Sequence, residues 1–137
     1  MKTIYALSGP SGSGKTFRRL NDPLLKGLPA FDIADIYKQF PGASWETAYG
    51  HMFSLVQDKL EECEEVVIEA YLRPSTPSRN YFEQIFADCR IQYIICWADL
   101  DTCVGRVKAQ KSWNTQKRIE LLEKTHHLFP HGSPLPV

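Results

Sequence analysis

Long apolar runs are missing from this chain. The longest uninterrupted one is Tyr93-Ile-Ile-Cys-Trp-Ala98, and a membrane-spanning helix needs about 20 such residues. The opening Met1-Lys-Thr-Ile-Tyr-Ala-Leu7 has too short an apolar stretch for a secretory signal. Cysteine is scarce: the four residues Cys63, Cys89, Cys96 and Cys103 contain no C-x-x-C pair, which argues against a zinc site and a disulfide scaffold. Net charge is absent too, with 16 basic residues against 16 acidic. A protein that binds nucleic acid over its whole surface is more basic than this, so only a local basic patch could serve. Internal repeats and low-complexity segments are lacking. What remains is the expectation of a soluble, cytoplasmic protein of 137 residues with reduced thiols. It reads as one domain, long enough to bury roughly two thirds of its unfolded surface without staples.

Strand-like and helix-like segments alternate. Ile4–Leu7 reads as a buried strand that stops at a glycine-rich loop, and a short helix follows over about Lys15–Leu20. Phe31–Ile33 is a brief second strand. Trp45, Ala48, Tyr49, Met52, Phe53, Val56 and Leu60 recur every three or four residues, which predicts an amphipathic helix over Ser44–Cys63 with Ser44 as N-cap and Trp45 in the core. Val66–Ile68 is the third strand. Thr76-Pro77 opens a helix running to about Cys89. Ile91–Trp97 is the fourth strand. Asp99 or Asp101 caps a helix ending near Lys111, and a last helix from Asn114 or Thr115 turns Ile119, Leu122 and Leu128 inward. Strands separated by helices imply a parallel sheet of four or five strands with helices on both faces. Such sheets hold ligands beyond the carboxyl ends of their strands.

Gly9-Pro10-Ser11-Gly12-Ser13-Gly14-Lys15-Thr16 satisfies G-x-x-x-x-G-K-[ST] between a strand and a helix. Its glycines let successive backbone N–H groups turn inward as an anion nest, and the helix start adds positive potential. Lys15 reaches terminal phosphates as a mobile charge, and the Thr16 hydroxyl can hold one corner of a Mg²⁺ octahedron. ATP and Mg²⁺ are the implied ligands. The dinucleotide fingerprint G-x-G-x-x-G is absent, and so is the Asn-Lys-x-Asp by which GTPases read guanine.

A carboxylate at the end of the third strand, Glu69, can hold Mg²⁺ through water. Asp35, just past the second strand, is placed to take the proton of an attacking hydroxyl, whereas Asp32 within the strand reads as an N-cap or edge contact. Between Asp101 and Glu120 lie Arg106, Lys108, Lys111, Lys117 and Arg118 with no acid. That pattern suits a flap of about residues 105–117 that neutralises phosphoryl charge, followed by an irregular tail of about 129–137. Arg106 is the best single candidate; Lys117 and Arg118 read as a solvated face. His126, His127 and His131 read as surface histidines, and Trp113 as an open ring in the flap.

These residues resemble small phosphate-loop kinases, most closely the kinase domain of the T-even phage polynucleotide 5′-kinase. Ala34-Asp-Ile-Tyr-Lys38 is similar to the segment with the general base and a nucleic-acid contact, which implies those roles for Asp35 and Lys38, a Lys where Arg is usual. Val67-Ile-Glu-Ala-Tyr-Leu-Arg-Pro74 resembles the acidic, Leu and Pro pattern after the third strand, with Glu for Asp and Ala70-Tyr71 in place of a polar pair. Val104-Gly-Arg106 resembles the start of the lid helix, and the family's second lid arginine falls at Gln110. The resemblance implies transfer of the ATP γ-phosphate to a hydroxyl. It leaves three classes open: a 5′-hydroxyl of nucleic acid, a small nucleoside, nucleotide or sugar acceptor, and a nucleotide-binding regulator with little turnover.

Overall fold

A computed structural model describes residues 1–110 and 115–131. Four parallel strands form one sheet in the order β2-β3-β1-β4: β1 is Thr3–Ser8, β2 Ala30–Asp32, β3 Glu65–Ala70 and β4 Arg90–Ile95. The helices are α1 (Lys15–Asn21), α2 (Ile33–Gln39), α3 (Trp45–Leu60), α4 (Pro77–Ile85), α5 (Leu100–Ala109) and α6 (Thr115–Thr125), with a 3-10 turn at His126–Leu128. Alternate residues of β1 are buried on opposite faces. Ile4 and Ala6 pack with Val66, Ile68, Met52, Phe53 and Phe82 under α3 and α4. Tyr5 and Leu7 pack with Leu25, Val67 and Ile94 on the other face. A sheet covered on both sides explains why its strands read as continuous apolar runs rather than as alternation. A third cluster, Cys103, Val107, Ile119 and Leu122, joins α5 to α6.

Caps set several boundaries as the sequence predicts. The side chains of Ser44, Thr76 and Asp99 accept from the N–H groups of Thr47, Arg79 and Thr102. Other expectations need correction. Asp32 accepts from the Ala34 N–H at 2.9 Å, so the chain passes from β2 straight into α2, and Ile33 is the first helical residue rather than the last of a strand. Asp35 therefore lies in the first turn of α2, not in a loop. Helix α4 stops at Ile85 instead of Cys89, because Phe86 leaves helical geometry and packs in the core. Trp45 is 37% exposed and is not core; Leu128 is 50% exposed, and Phe129 takes the buried place expected of it. Lys111, Trp113 and Asn114 lie outside the described residues, as does the tail beyond His131.

Candidate functional site

The carboxyl ends of β1 and β3 open onto the loop 9–14, where the chain turns into α1. Gly12 has φ +79°, and a Cβ there would stand 2.6 Å from the Cys103 carbonyl oxygen. Gly14, at φ +98°, is the N-cap of α1 and uses the same left-handed region. Ser13 is buried, and its hydroxyl is the one buried side-chain oxygen or nitrogen among the described residues that lacks a hydrogen-bond partner. An orphaned donor in a glycine nest is chemically suited to an anion's oxygen.

Lys15 folds back over this loop. Its Nζ donates to the Gly9 carbonyl at 2.8 Å and the Pro10 carbonyl at 2.9 Å, and it lies 4.9 Å from the centre of the Tyr71 ring. Burial pushes its pKa down to about 8, with Asp32 and Glu69 among the charges that resist the drop. Thr16 donates to Glu69 Oε1 at 2.6 Å, and Arg19 donates to Glu69 Oε2. Glu69 is 1% exposed and sits within β3 rather than after it, level with Leu7 on one side and Asp32 on the other. Burial, then the charge of Glu69, holds the Asp32 carboxyl above its usual range, and the Ala34 N–H opposes the shift.

A cleft of about 1040 Å³ brings most of the predicted residues together. Ser11 to Thr16, Asp35, Lys38, Glu69, Arg106 and Gln110 all line it; Asp35 and Lys38 are exposed along α2. Pro10 lines a smaller cavity beside it, and Gly9 packs against the Cys96 carbonyl. Arg106 of α5 reaches the loop and donates to the Gly12 carbonyl at 3.1 Å. Gln110 caps the end of α5.

Sequence reasoning missed two participants. Arg118, read as part of a solvated face, sits on the loop instead: its Nε and Nη2 donate to Ser11 Oγ at 3.1 and 2.6 Å. Its position one residue before the buried Ile119 of α6 was the available signal. Tyr71, just beyond β3, forms the aromatic wall under Lys15. His126 Nε2 lies 2.6 Å from the Ala98 carbonyl, and the Trp97 ring meets those of His126 and His131 in tilted contacts. Among the described residues there is no group of three or more His, Cys, Asp or Glu that could cage a metal, and no helix long and apolar enough to cross a membrane.

No family model and no curated protein matches the chain. Solved structures do share its fold. A chain in the structure of the Pnkp1/Rnl/Hen1 RNA repair complex superposes with a TM-score of 0.64 over 99% of this chain at 17% identity, and this chain spans 50% of that one. A sugar kinase from Janibacter sp. HTCC2649 gives a TM-score of 0.62 at 10% identity, covering 98% of this chain and 81% of that one. Shikimate kinase from Bacteroides thetaiotaomicron gives 0.54 at 12% identity, covering 93% and 80%. The chain has the α/β fold of P-loop kinases, a four-stranded parallel sheet flanked by helices.

Proposed function

We propose that this chain is an ATP-dependent phosphotransferase that moves the terminal phosphoryl group of ATP to an acceptor hydroxyl. The carrying observation is one cleft that holds an anion nest, a lysine, an oxygen pair and a carboxylate in reach of the loop. The 5′-hydroxyl of a nucleic acid is the first acceptor, on the resemblance of Asp35 and Lys38 to the phage-type kinase segment. A small-molecule acceptor is the second reading, favoured by the cavity of about 290 Å³ next to the loop. Residues 1–137 act as one domain, with a lid over about residues 105–117.

The loop N–H groups, the Ser13 hydroxyl and Lys15 bind the phosphates. Asp35 takes the proton as the acceptor oxygen bonds to phosphorus and the bond to the ADP oxygen breaks. Arg106 and Arg118, both hydrogen-bonded to the loop, offset charge on the transferring group; Arg118 supplies from α6 the guanidinium that Gln110 lacks. Thr16 and Glu69 fit Mg²⁺, which prefers hard oxygen donors and binds through one or two protein oxygens plus phosphates. Magnesium, when bound, neutralises phosphate charge; Thr16 would ligate it directly and Glu69 through water. Glu69→Gln should raise the Mg²⁺ concentration for half-maximal ATP binding by about tenfold or more, read by calorimetric titration of ATP across a Mg²⁺ series. An unchanged requirement would remove Glu69 from the metal site.

Lys15 gives a pH signature. Burial pushes its pKa down to about 8, and bound phosphate anions raise it, so binding takes up a proton above that value. ATP affinity should then fall as pH rises above about 8, by up to about tenfold per pH unit. Lys15→Arg, always charged, should flatten the profile. A flat wild-type profile would contradict a lysine on the phosphates. The acceptor is tested with γ-labelled ATP and a 5′-hydroxyl oligonucleotide. Label should appear on the oligonucleotide; label on a nucleoside or sugar alone would select the second reading, and label on no acceptor would reject both.

A further inference from the structure

Arg18 and Arg19 are neighbours on α1, and they face different partners. Arg18 pairs with Asp22 one turn on, at 3.4 Å, and lines the cleft. Arg19 turns to the sheet, where its Nε donates to Glu69 Oε2 on β3. The Arg19 side chain is 24% exposed and that of Glu69 is 2%. Thr16 and Glu69 are among the described residues that line the cleft, and Arg19 is not. Arg19 therefore holds the carboxylate from outside the space that the phosphates would occupy.

The hydrogen bonds form a chain. Glu69 Oε1 accepts from the Thr16 hydroxyl at 2.6 Å, and Oε2 accepts from Arg19. Thr16 and Arg19 stand three residues apart on α1, a spacing that puts both on one side of the helix. A hydroxyl has one proton to give and two lone pairs to offer. Thr16 commits its proton to Glu69, so its lone pairs are left for a cation, and the residue is exposed in the cleft. Glu69 thus sets the direction of the Thr16 oxygen, and Arg19 sets the direction of Glu69.

Asp32 lies level with Glu69 on the adjacent strand, so two carboxylates stand side by side in the sheet. Their charges repel, and Arg19 holds Glu69 against that push. A buried ion pair adds little net stability, because the cost of taking both charges out of water offsets their attraction. What this pair fixes is direction.

We infer that Arg19 is a positioning residue for the magnesium site: by holding Oε2 it fixes the Glu69 carboxylate, and through it the oxygen that Thr16 turns to the ion. The inference rests on the reading of Thr16 and Glu69 as the magnesium oxygens in the proposed function. Its consequence is a residue outside the cleft whose loss is felt only when magnesium is present. Groups that orient metal ligands are typically worth about 10- to 100-fold in metal affinity.

Calorimetric titration of ATP, without acceptor, across a Mg²⁺ series and again in excess chelator tests it. The proteins compared are the wild type, Arg19→Met, Arg19→Lys, Glu69→Gln and the double variant Arg19→Met/Glu69→Gln. Arg19→Met should raise the Mg²⁺ concentration for half-maximal ATP binding by about tenfold. Arg19→Lys, which keeps a cationic donor beside Oε2, should recover most of that loss. Affinity for ATP in excess chelator should stay at the wild-type value in Arg19→Met, which also reports that the variant folds. The double variant should need no more Mg²⁺ than Glu69→Gln alone, because Arg19 acts only through Glu69. It leaves no Glu69 charge without its partner, so it carries the comparison should Arg19→Met not fold. An unchanged Mg²⁺ requirement in Arg19→Met, an equal loss of ATP affinity with and without Mg²⁺, or a double variant worse than Glu69→Gln would each overturn the role. An unchanged requirement in Glu69→Gln would overturn the magnesium reading itself, and the role of Arg19 with it. Shifts that follow the predicted pattern with no label transferred to any acceptor would instead overturn the phosphotransfer reading and keep the role of Arg19.

Discussion

Arg106→Ala lowers kcat by about 10³-fold while the KM for ATP moves by less than about tenfold. Arg106 reaches the loop from α5 and donates to a backbone carbonyl there, that of Gly12. Its charge matters most when negative charge spreads over the transferring phosphoryl oxygens, so its loss falls on the transition state and not on ground-state binding. Arg118→Ala should lower kcat too, by about 10²-fold or more, because its guanidinium is held on Ser11 of the same loop. Steady-state kinetics over a series of ATP concentrations separates the two parameters. If Arg106→Ala kept kcat within a factor of about two, Arg106 would be a surface residue and α5 no lid.

The placement of Lys15, Thr16 and Glu69 about one cleft was legible because each belongs to a local pattern. A strand, a glycine-rich turn and a helix start are contiguous in sequence, and Glu69, one residue before β3 ends at Ala70, stands near the edge where a parallel sheet places its ligand. The parallel sheet itself followed from strands that alternate with capped helices. Helix α2 was hidden by its shortness. Phe31-Asp-Ile33 mimics strand alternation, and only the cap from Asp32 and the Ile33–Ile36 spacing betray seven helical residues. Arg118 and Trp45 were misread for a different reason. Their surroundings are built by segments far apart in the chain, since Arg118 meets Ser11 across 107 residues. Periodicity reports which face of a helix is apolar, but not that a phosphate loop or a cavity opens beside it.

Asp35→Asn reduces phosphoryl transfer by about 10²-fold or more and leaves ATP affinity nearly unchanged. The substitution keeps the shape of the side chain and removes the proton acceptor. Asp35 lines the cleft from the first turn of α2. Asp32 is a different case. It is committed to capping α2 through the Ala34 N–H, and it lies beside Glu69 in the sheet. Its carboxyl is held above the usual range by burial, which makes it the one credible rival for the proton. Asp32→Asn removes one charge beside Glu69 and retains an oxygen for the cap, so transfer should fall by less than about tenfold.

Single-turnover transfer of label from ATP to the best acceptor, measured in parallel for the wild type, Asp35→Asn and Asp32→Asn with ATP binding titrated on the same samples, tests the assignment of phosphotransfer to this cleft most directly. The account predicts full ATP binding by all three proteins, with transfer lost in Asp35→Asn and largely kept in Asp32→Asn. Loss in Asp32→Asn alone would move the base into the sheet. Full ATP binding with no transfer by the wild type to any acceptor would contradict the account and make the chain a nucleotide-binding regulator.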